Sequence, residues 1–227
     1  MKRRLTSLLA YSVYWILFFF FARFLFLVFH HREAAGFSFN LLAGTFTHGL
    51  KLDISVTSYI LAIPVLLMLP AIWIKGEWYR HFMRIYTWIL LLISSAIIIG
   101  DAELYSYWGF RMDYTPMLYL KTPKEVAASV STATVIFTFL GIIAFGTVSG
   151  LIYNRFIDKR FSLPGLIRYR LPYAFVFAIL LGSLIIPIRG GFGVAPINAG
   201  TVYFSDDLFV NHSAINVVWN EIGRAHV

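Results

Sequence analysis

The sequence predicts an all-α polytopic membrane protein. Three observations carry that reading: an apolar composition, five long apolar runs, and an uneven distribution of basic residues between the connecting segments. Of the 227 residues, 59% are hydrophobic and only 13% are charged, with mean hydropathy +0.74. A soluble domain is about a quarter charged. The longest polar interval, residues 100–130, is shorter than the roughly 40 residues below which a domain seldom folds unaided.

The runs are taken in order. Residues 8–29 form the first, interrupted by Arg23. It follows Met1-Lys2-Arg3-Arg4 as a signal peptide would. It is too long for a signal core, however, and no small-residue cleavage site follows, so it reads as a retained signal-anchor helix. Residues 54–74 form the second, with Pro64 and Pro70, which membrane helices tolerate as breaks in the backbone ladder. The third, fourth and fifth are residues 82–100, 134–153 and 171–188. Each run approaches or exceeds the length of about 20 residues that a bilayer requires. Pro172 suits a first helical turn, where its missing donor is not needed.

The basic residues orient the bundle. With the N-terminus in the cytoplasm, the inner segments carry Lys2, Arg3, Arg4, Lys75, Arg80, Arg84, Arg155, Lys159, Arg160, Arg168 and Arg170. The outer ones carry Arg32, Lys51, Arg111, Lys121, Lys124 and Arg189. This is the positive-inside pattern, and five spans then place the C-terminus outside. The net charge of +8 is explained by this flanking pattern and by anionic phospholipid headgroups, without a nucleic acid partner. The absence of cysteine excludes disulfides, thiolate metal sites and cysteine nucleophiles.

The outer segments hold the candidate functional residues. Between the first two spans, residues 34–50 contain no Asp, Glu, Lys or Arg, and Phe37, Phe39, Leu41, Leu42 and Phe46 suit a loop dipping into the interface. Lys51 and Asp53, at the entry to the second span, either contact a headgroup, pair with another loop, or anchor the helix at the interface. Beyond the third span, Asp101, Glu103, Arg111 and Asp113 alternate with Tyr105, Tyr107, Trp108 and Tyr114. Arg111 suits a bidentate pair with a phosphate or with a carboxylate of its own segment. Thr122-Pro123-Lys124-Glu125 has the form of a helix start, with a capping Thr, Pro in the first turn and Glu reaching back. Arg189-Gly190-Gly191 ends the fifth span, with Arg189 placed to reach headgroups. Arg23 is either a functional polar point in the membrane, a partner for another helix, or a snorkelling side chain. His30, His31 and His212 lack ligand-like spacing, and Asp206 and Asp207 read as solvated surface. No phosphate-binding glycine loop, nucleophile elbow or zinc spacing is present.

Three of these stretches together resemble the membrane portion of the lipoteichoic acid synthase and phosphoglycerol transferase family, whose catalytic domain is of the alkaline phosphatase/sulfatase type. They are Gly49-Leu50-Lys51-Leu52-Asp53-Ile54-Ser55 at the second span, and Asp101-Ala102-Glu103-Leu104-Tyr105 with Trp108 to Asp113 and Thr122 to Glu125 after the third. The last runs from Arg189-Gly190-Gly191 through Pro196-Ile197-Asn198 and Tyr203-Phe204-Ser205 to Asn211-His212-Ser213-Ala214-Ile215-Asn216. The resemblance implies a cell-envelope enzyme of the bacterial cytoplasmic membrane. Its outer α/β domain, missing from this sequence, would hold a manganese-like divalent ion and a Thr or Ser nucleophile. Residues 1–188 are then the five-span base, 189–220 an extracytoplasmic tether, and 221–227 a foreign tail that resembles translated adapter sequence. Lys51, Asp53, Asp101, Arg111, Asp113 and Arg189 are the expected contacts to headgroups or to the outer domain, and no catalytic residue or metal ligand is expected within the sequence. A small transporter subunit and a non-enzymatic membrane scaffold are the competing readings. The first of these needs polar groups inside the spans.

Overall fold

The computed structural model describes residues 2–74, 77–112, 131–162 and 170–224. Five helices are long and apolar enough to cross a membrane: α1 (Lys2–Phe29), α2 (Phe39–Met68), α3 (Trp78–Trp108), α4 (Thr132–Phe156) and the span Arg170–Arg189. That last span is α5 (Arg170–Ser183) passing into α6 (Ile185–Arg189). Two short helices follow, α7 (Leu208–Ala214) and α8 (Val217–Arg224). No strand occurs among the described residues. Among the described residues the structure is thus all-α, with the five long apolar helices that the apolar runs predict.

The helices extend beyond those runs, and two expectations need correction. Residues 39–51 are not an interfacial loop but the first turns of α2, entered through Ser38, whose hydroxyl accepts from the Leu41 N–H at 3.4 Å. The Thr45 and Thr47 hydroxyls donate to the Leu42 and Gly44 carbonyls one turn back. These threonines satisfy their hydroxyls on the helix itself, so a polar sequence remains helical at the membrane boundary. Likewise α3 continues through Asp101 to Trp108 and stops at Gly109, whose φ of 69° supplies the left-handed closing residue. Asp113 and the Thr122 to Glu125 helix start lie outside the described residues.

Helix α2 is central, packed against α1, α5, α6 and α7, while α3 pairs with α4. Pro64 lies inside α2 and deprives the Ile60 carbonyl of its usual amide donor. The Tyr86 hydroxyl of α3 donates to that carbonyl at 2.9 Å, and the Tyr79 hydroxyl donates to the Pro64 carbonyl, also at 2.9 Å. At the basic end, Asp158 accepts from Arg80 at 2.6 Å and from Arg84 at 2.8 Å. Burial alone would raise the Asp158 pKa, but the hydrogen bonds from Arg84 and Arg80 outweigh it and hold the carboxyl below the usual range. The Ser7 hydroxyl donates to the Arg160 carbonyl and one Arg4 amino group donates to the Ala71 carbonyl. The Tyr11, Trp15, Tyr79, Tyr153 and Phe161 side chains are fully buried just above.

Candidate functional site: a buried charged layer under the C-terminal segment

At the opposite end of the bundle, residues 209–220 are buried continuously. The segment turns back onto the helices because its own sequence caps and folds it. Asp207 accepts from the Phe209 and Val210 N–H groups at 2.8 and 3.3 Å and so starts α7. Asn211 holds the preceding turn, accepting from the Phe204 and Ser205 N–H groups and donating to the Ser205 carbonyl. Val210, Ala214, Ile215, Val217 and Val218 then supply the apolar side that packs inward.

Beneath this segment lies a bidentate ion pair. Arg23 of α1 donates to both carboxylate oxygens of Asp53 of α2, at 2.8 and 2.9 Å, and to the Ala214 carbonyl at 3.3 Å. Asp53 also accepts from the Asn216 amide at 2.8 Å. Two further contacts follow along the segment. The Trp219 indole N–H donates to the Ser55 hydroxyl at 2.9 Å, and the Asn220 amide to the Met112 carbonyl at 2.8 Å. Both members of the ion pair are almost fully buried, with side chains 3% and 2% exposed. An ion pair this deep depends on its hydrogen bonds to offset its desolvation, and two of the four described here, to the Ala214 carbonyl and from the Asn216 amide, involve the C-terminal segment.

Gly49 makes the approach possible. It lies one turn before Asp53 on the same face of α2, and a Cβ there would overlap the Arg23 guanidinium and the Ala214 carbonyl. Gly44 plays the same part for Phe204, whose ring stacks on His48 with centroids 4.1 Å apart. The glycines of α2 therefore form the floor on which the returning segment rests.

A second charged pair adjoins the first. Arg111 Nε lies 3.0 Å from Asp101 Oδ2, paired by charge but off the hydrogen-bond line. The other Asp101 oxygen accepts from the Met112 N–H at 2.6 Å. The Arg111 guanidinium sits 4.0 Å from the centre of the Phe26 ring, a favourable cation–π placement. Between the two pairs is a cavity of about 20 Å³ lined by Arg23, Asp53, Arg111 and Asn216 among others. That is room for about one water molecule.

Of the sequence-predicted residues, Asp53, Asp101 and Arg111 come together here. Lys51 does not: residues two apart on a helix face different ways, and Lys51 is exposed while Asp53 is buried. Arg189 is exposed and donates to the Val194 carbonyl at 2.7 Å, closing its own loop. Asp113 lies outside the described residues. Asn216, Trp219, Asn220 and Gly49 take part through contacts that residue spacing does not reveal. The N-cap signal at Asp207, ahead of Leu-Phe-Val, was the available clue that the segment folds. Among the described residues no three His, Asp or Glu side chains gather as metal ligands would.

Two histidines flank the layer. His30 Nε2–H donates to the Ala102 carbonyl at 3.0 Å, and His212 Nδ1 lies 3.1 Å from the Tyr105 hydroxyl. Burial lowers the His30 pKa, against the pull of the Ala102 carbonyl, and burial followed by the Arg111 charge lowers that of His212. Both histidines are therefore neutral near pH 7. A depressed folded pKa means that the unfolded chain takes up protons first. The stabilisation is complete above about pH 6.5, the free-histidine value, and is lost as pH falls through the folded values. Glu33, Asp101 and Asp207 oppose this only in part. The protection factors of residues 208–220, which already allow for the intrinsic slowing of amide exchange at lower pH, are expected to fall between about pH 7 and about pH 5. His212→Gln should remove part of that fall.

No protein-family model, no curated protein and no solved structure matches the chain.

Proposed function

We propose that the chain is the membrane base of a bacterial cell-envelope enzyme that transfers phosphoglycerol or a related phospho-group from a lipid donor. On this reading the metal and nucleophile belong to an outer domain of the parent enzyme, and the base fixes where that domain stands. One observation supports it most. The three stretches that carry the family resemblance lie far apart in sequence, yet they meet in one buried layer through Asp53, Asp101, Arg111 and Asn216. A segment joining a membrane base to a catalytic domain over a lipid substrate must hold an orientation, and a docked, hydrogen-bonded segment does so where a slack linker would not. Exposed Lys51 is then free for an anionic headgroup, while Arg111 serves the layer. The transporter reading requires a polar path, and the charged cavity of about 20 Å³ holds about one water.

The test is transfer by the parent enzyme in phosphatidylglycerol vesicles, read as diacylglycerol release. Asn216→Ala removes a hydrogen bond to a buried carboxylate, worth about 1.5–3 kcal/mol. It is expected to lower turnover about tenfold at unchanged membrane abundance. No release by the unsubstituted enzyme would refute the transferase reading. Release unaffected by Asn216→Ala would refute the orienting role of the segment.

A further inference from the structure

The fifth span ends in a closed apolar loop. Helix α6 stops at Arg189, and Gly190 and Gly191, with φ of 84° and 130°, turn the chain where a side chain would strain it. Their N–H groups return to the Pro187 and Ile186 carbonyls. The chain then comes back on itself. The Ile197 N–H donates to the Arg189 carbonyl at 2.9 Å, and the Ile197 side chain packs so close to Gly190 that a Cβ there would overlap it. The Arg189 guanidinium ties the loop across, donating to the Val194 carbonyl at 2.7 Å and to that of Gly193 at 3.5 Å.

The side chains that this loop displays are apolar. Residues 192–196, Phe-Gly-Val-Ala-Pro, are all exposed. Phe192 is 90% exposed and Val194 98%, against 57% for Ile179 on the flank of the span itself. No Asp or Glu occurs between Asp158 and Asp206. The loop also has a defined height. The Ser55 hydroxyl donates to the Ile188 carbonyl at 2.8 Å, and Ser55 stands at the start of the second apolar run. The end of one span and the start of another are thus level, and the loop leaves the bundle there. The segment that follows stands farther out, since Phe204 packs at Gly44, about 16 Å of helix before Ser55.

We propose that this loop is a membrane anchor, with Phe192 and Val194 seated in the bilayer at the headgroup–acyl boundary. Apolar side chains exposed to this degree gain by leaving water, and a loop that springs from the end of a span has the bilayer beside it. Its backbone belongs to no helix, so the hydrocarbon interior excludes it. The interface, where water still reaches the peptide groups, is the depth that suits it. Arg189, at the foot of the loop, then lies at the level of the lipid phosphates, and no carboxylate of the loop opposes an anionic surface. The anchor holds the C-terminal segment at its start, as the charged layer holds it near its end. It depends on the five spans alone and is independent of the transferase reading.

The experiment uses the absence of cysteine from the chain, which lets a single nitroxide be placed at Gly193→Cys. A Cβ there meets only the Ala195 carbonyl, at an ordinary 3.8 Å, and Phe192 and Val194 stay native. Electron paramagnetic resonance of the intact chain, in vesicles of equal parts phosphatidylglycerol and phosphatidylethanolamine, compares collision with oxygen and with a water-soluble nickel chelate. Oxygen concentrates in the bilayer and the chelate stays in water. The oxygen-to-nickel ratio at residue 193 is expected to be several-fold above that of Asp206→Cys on the outlying segment and below that of Ile179→Cys within the span. Phe192→Ser with Val194→Ser should bring it to the Asp206 value while leaving the Ile179 value unchanged. A ratio equal to that at Asp206 would overturn the proposal, as would one that survives the double substitution. A label shielded from both reagents would put the loop under protein and overturn it too. Dipolar broadening between labels would do the same by marking a second copy of the chain.

Discussion

Arg23→Ala is expected to destabilise the bundle by about 3–5 kcal/mol, because it leaves the Asp53 carboxylate buried without its cation. In the native layer Asp53 accepts two bonds from Arg23 and one from Asn216. After the substitution only the Asn216 amide remains, and it carries no charge. Asp53→Ala should cost a similar amount by stranding the guanidinium, whose Nε already lacks a partner among the described residues. The pair removed together behaves differently. Arg23→Met with Asp53→Leu replaces two desolvated charges by hydrocarbon and is expected to recover most of the loss, since buried ion pairs seldom exceed their own desolvation cost. Unfolding midpoints in one detergent, measured for both single variants and the double variant, check this. Single variants within about 0.5 kcal/mol of the parent, the range of ordinary surface changes, would contradict the ion-pair layer.

Gly49→Ala is expected to cost about 1–3 kcal/mol as overpacking, and to act through docking more than through α2 itself. Alanine is a better helix former than glycine, so on an isolated helix the change would stabilise. Here the added methyl meets the Arg23 guanidinium and the Ala214 carbonyl. One or both must retreat, which loosens the ion pair and lifts the C-terminal segment at once. The expected signature is faster amide exchange and earlier protease cleavage within residues 203–220, with helix content unchanged. An alanine variant more stable than the parent, with the segment equally protected, would show that the close approach does not exist in solution.

The five spans were legible because hydrophobicity is additive along a chain and needs no partner: about 20 apolar residues identify a span wherever it packs. The charged layer was less legible, for two physical reasons. Arg23 and Asp53 pair only because α1 and α2 are rotated to face each other, and rotation about a helix axis is a property of packing. The role of Lys51 turned on whether residue 51 was loop or helix. Once α2 begins at Phe39, helical phase alone separates Lys51 from Asp53. Arg111 was legible in part, since pairing with a carboxylate of its own segment was one of two readings, and Asp101 is that carboxylate. The returning segment was the least legible. It read as a tether with Asp206 and Asp207 at a solvated surface, whereas Asn211, Asn216 and Asn220 are buried because each amide closes a hydrogen bond.

The hydroxyl that completes the broken ladder of α2 has a mechanical consequence. A proline inside a helix ordinarily gives a compliant joint, because one rung is absent and the segments on either side move independently. Here Tyr86 and Tyr79 of the neighbouring helix grip the carbonyls at that joint. The joint is braced from outside, so α2 and α3 bend together or not at all. A displacement at the basic end, where Arg80 and Arg84 hold Asp158, is therefore carried along α2 as along a stiff strut. It would arrive at Asp53 and at the segment resting on it without being absorbed on the way.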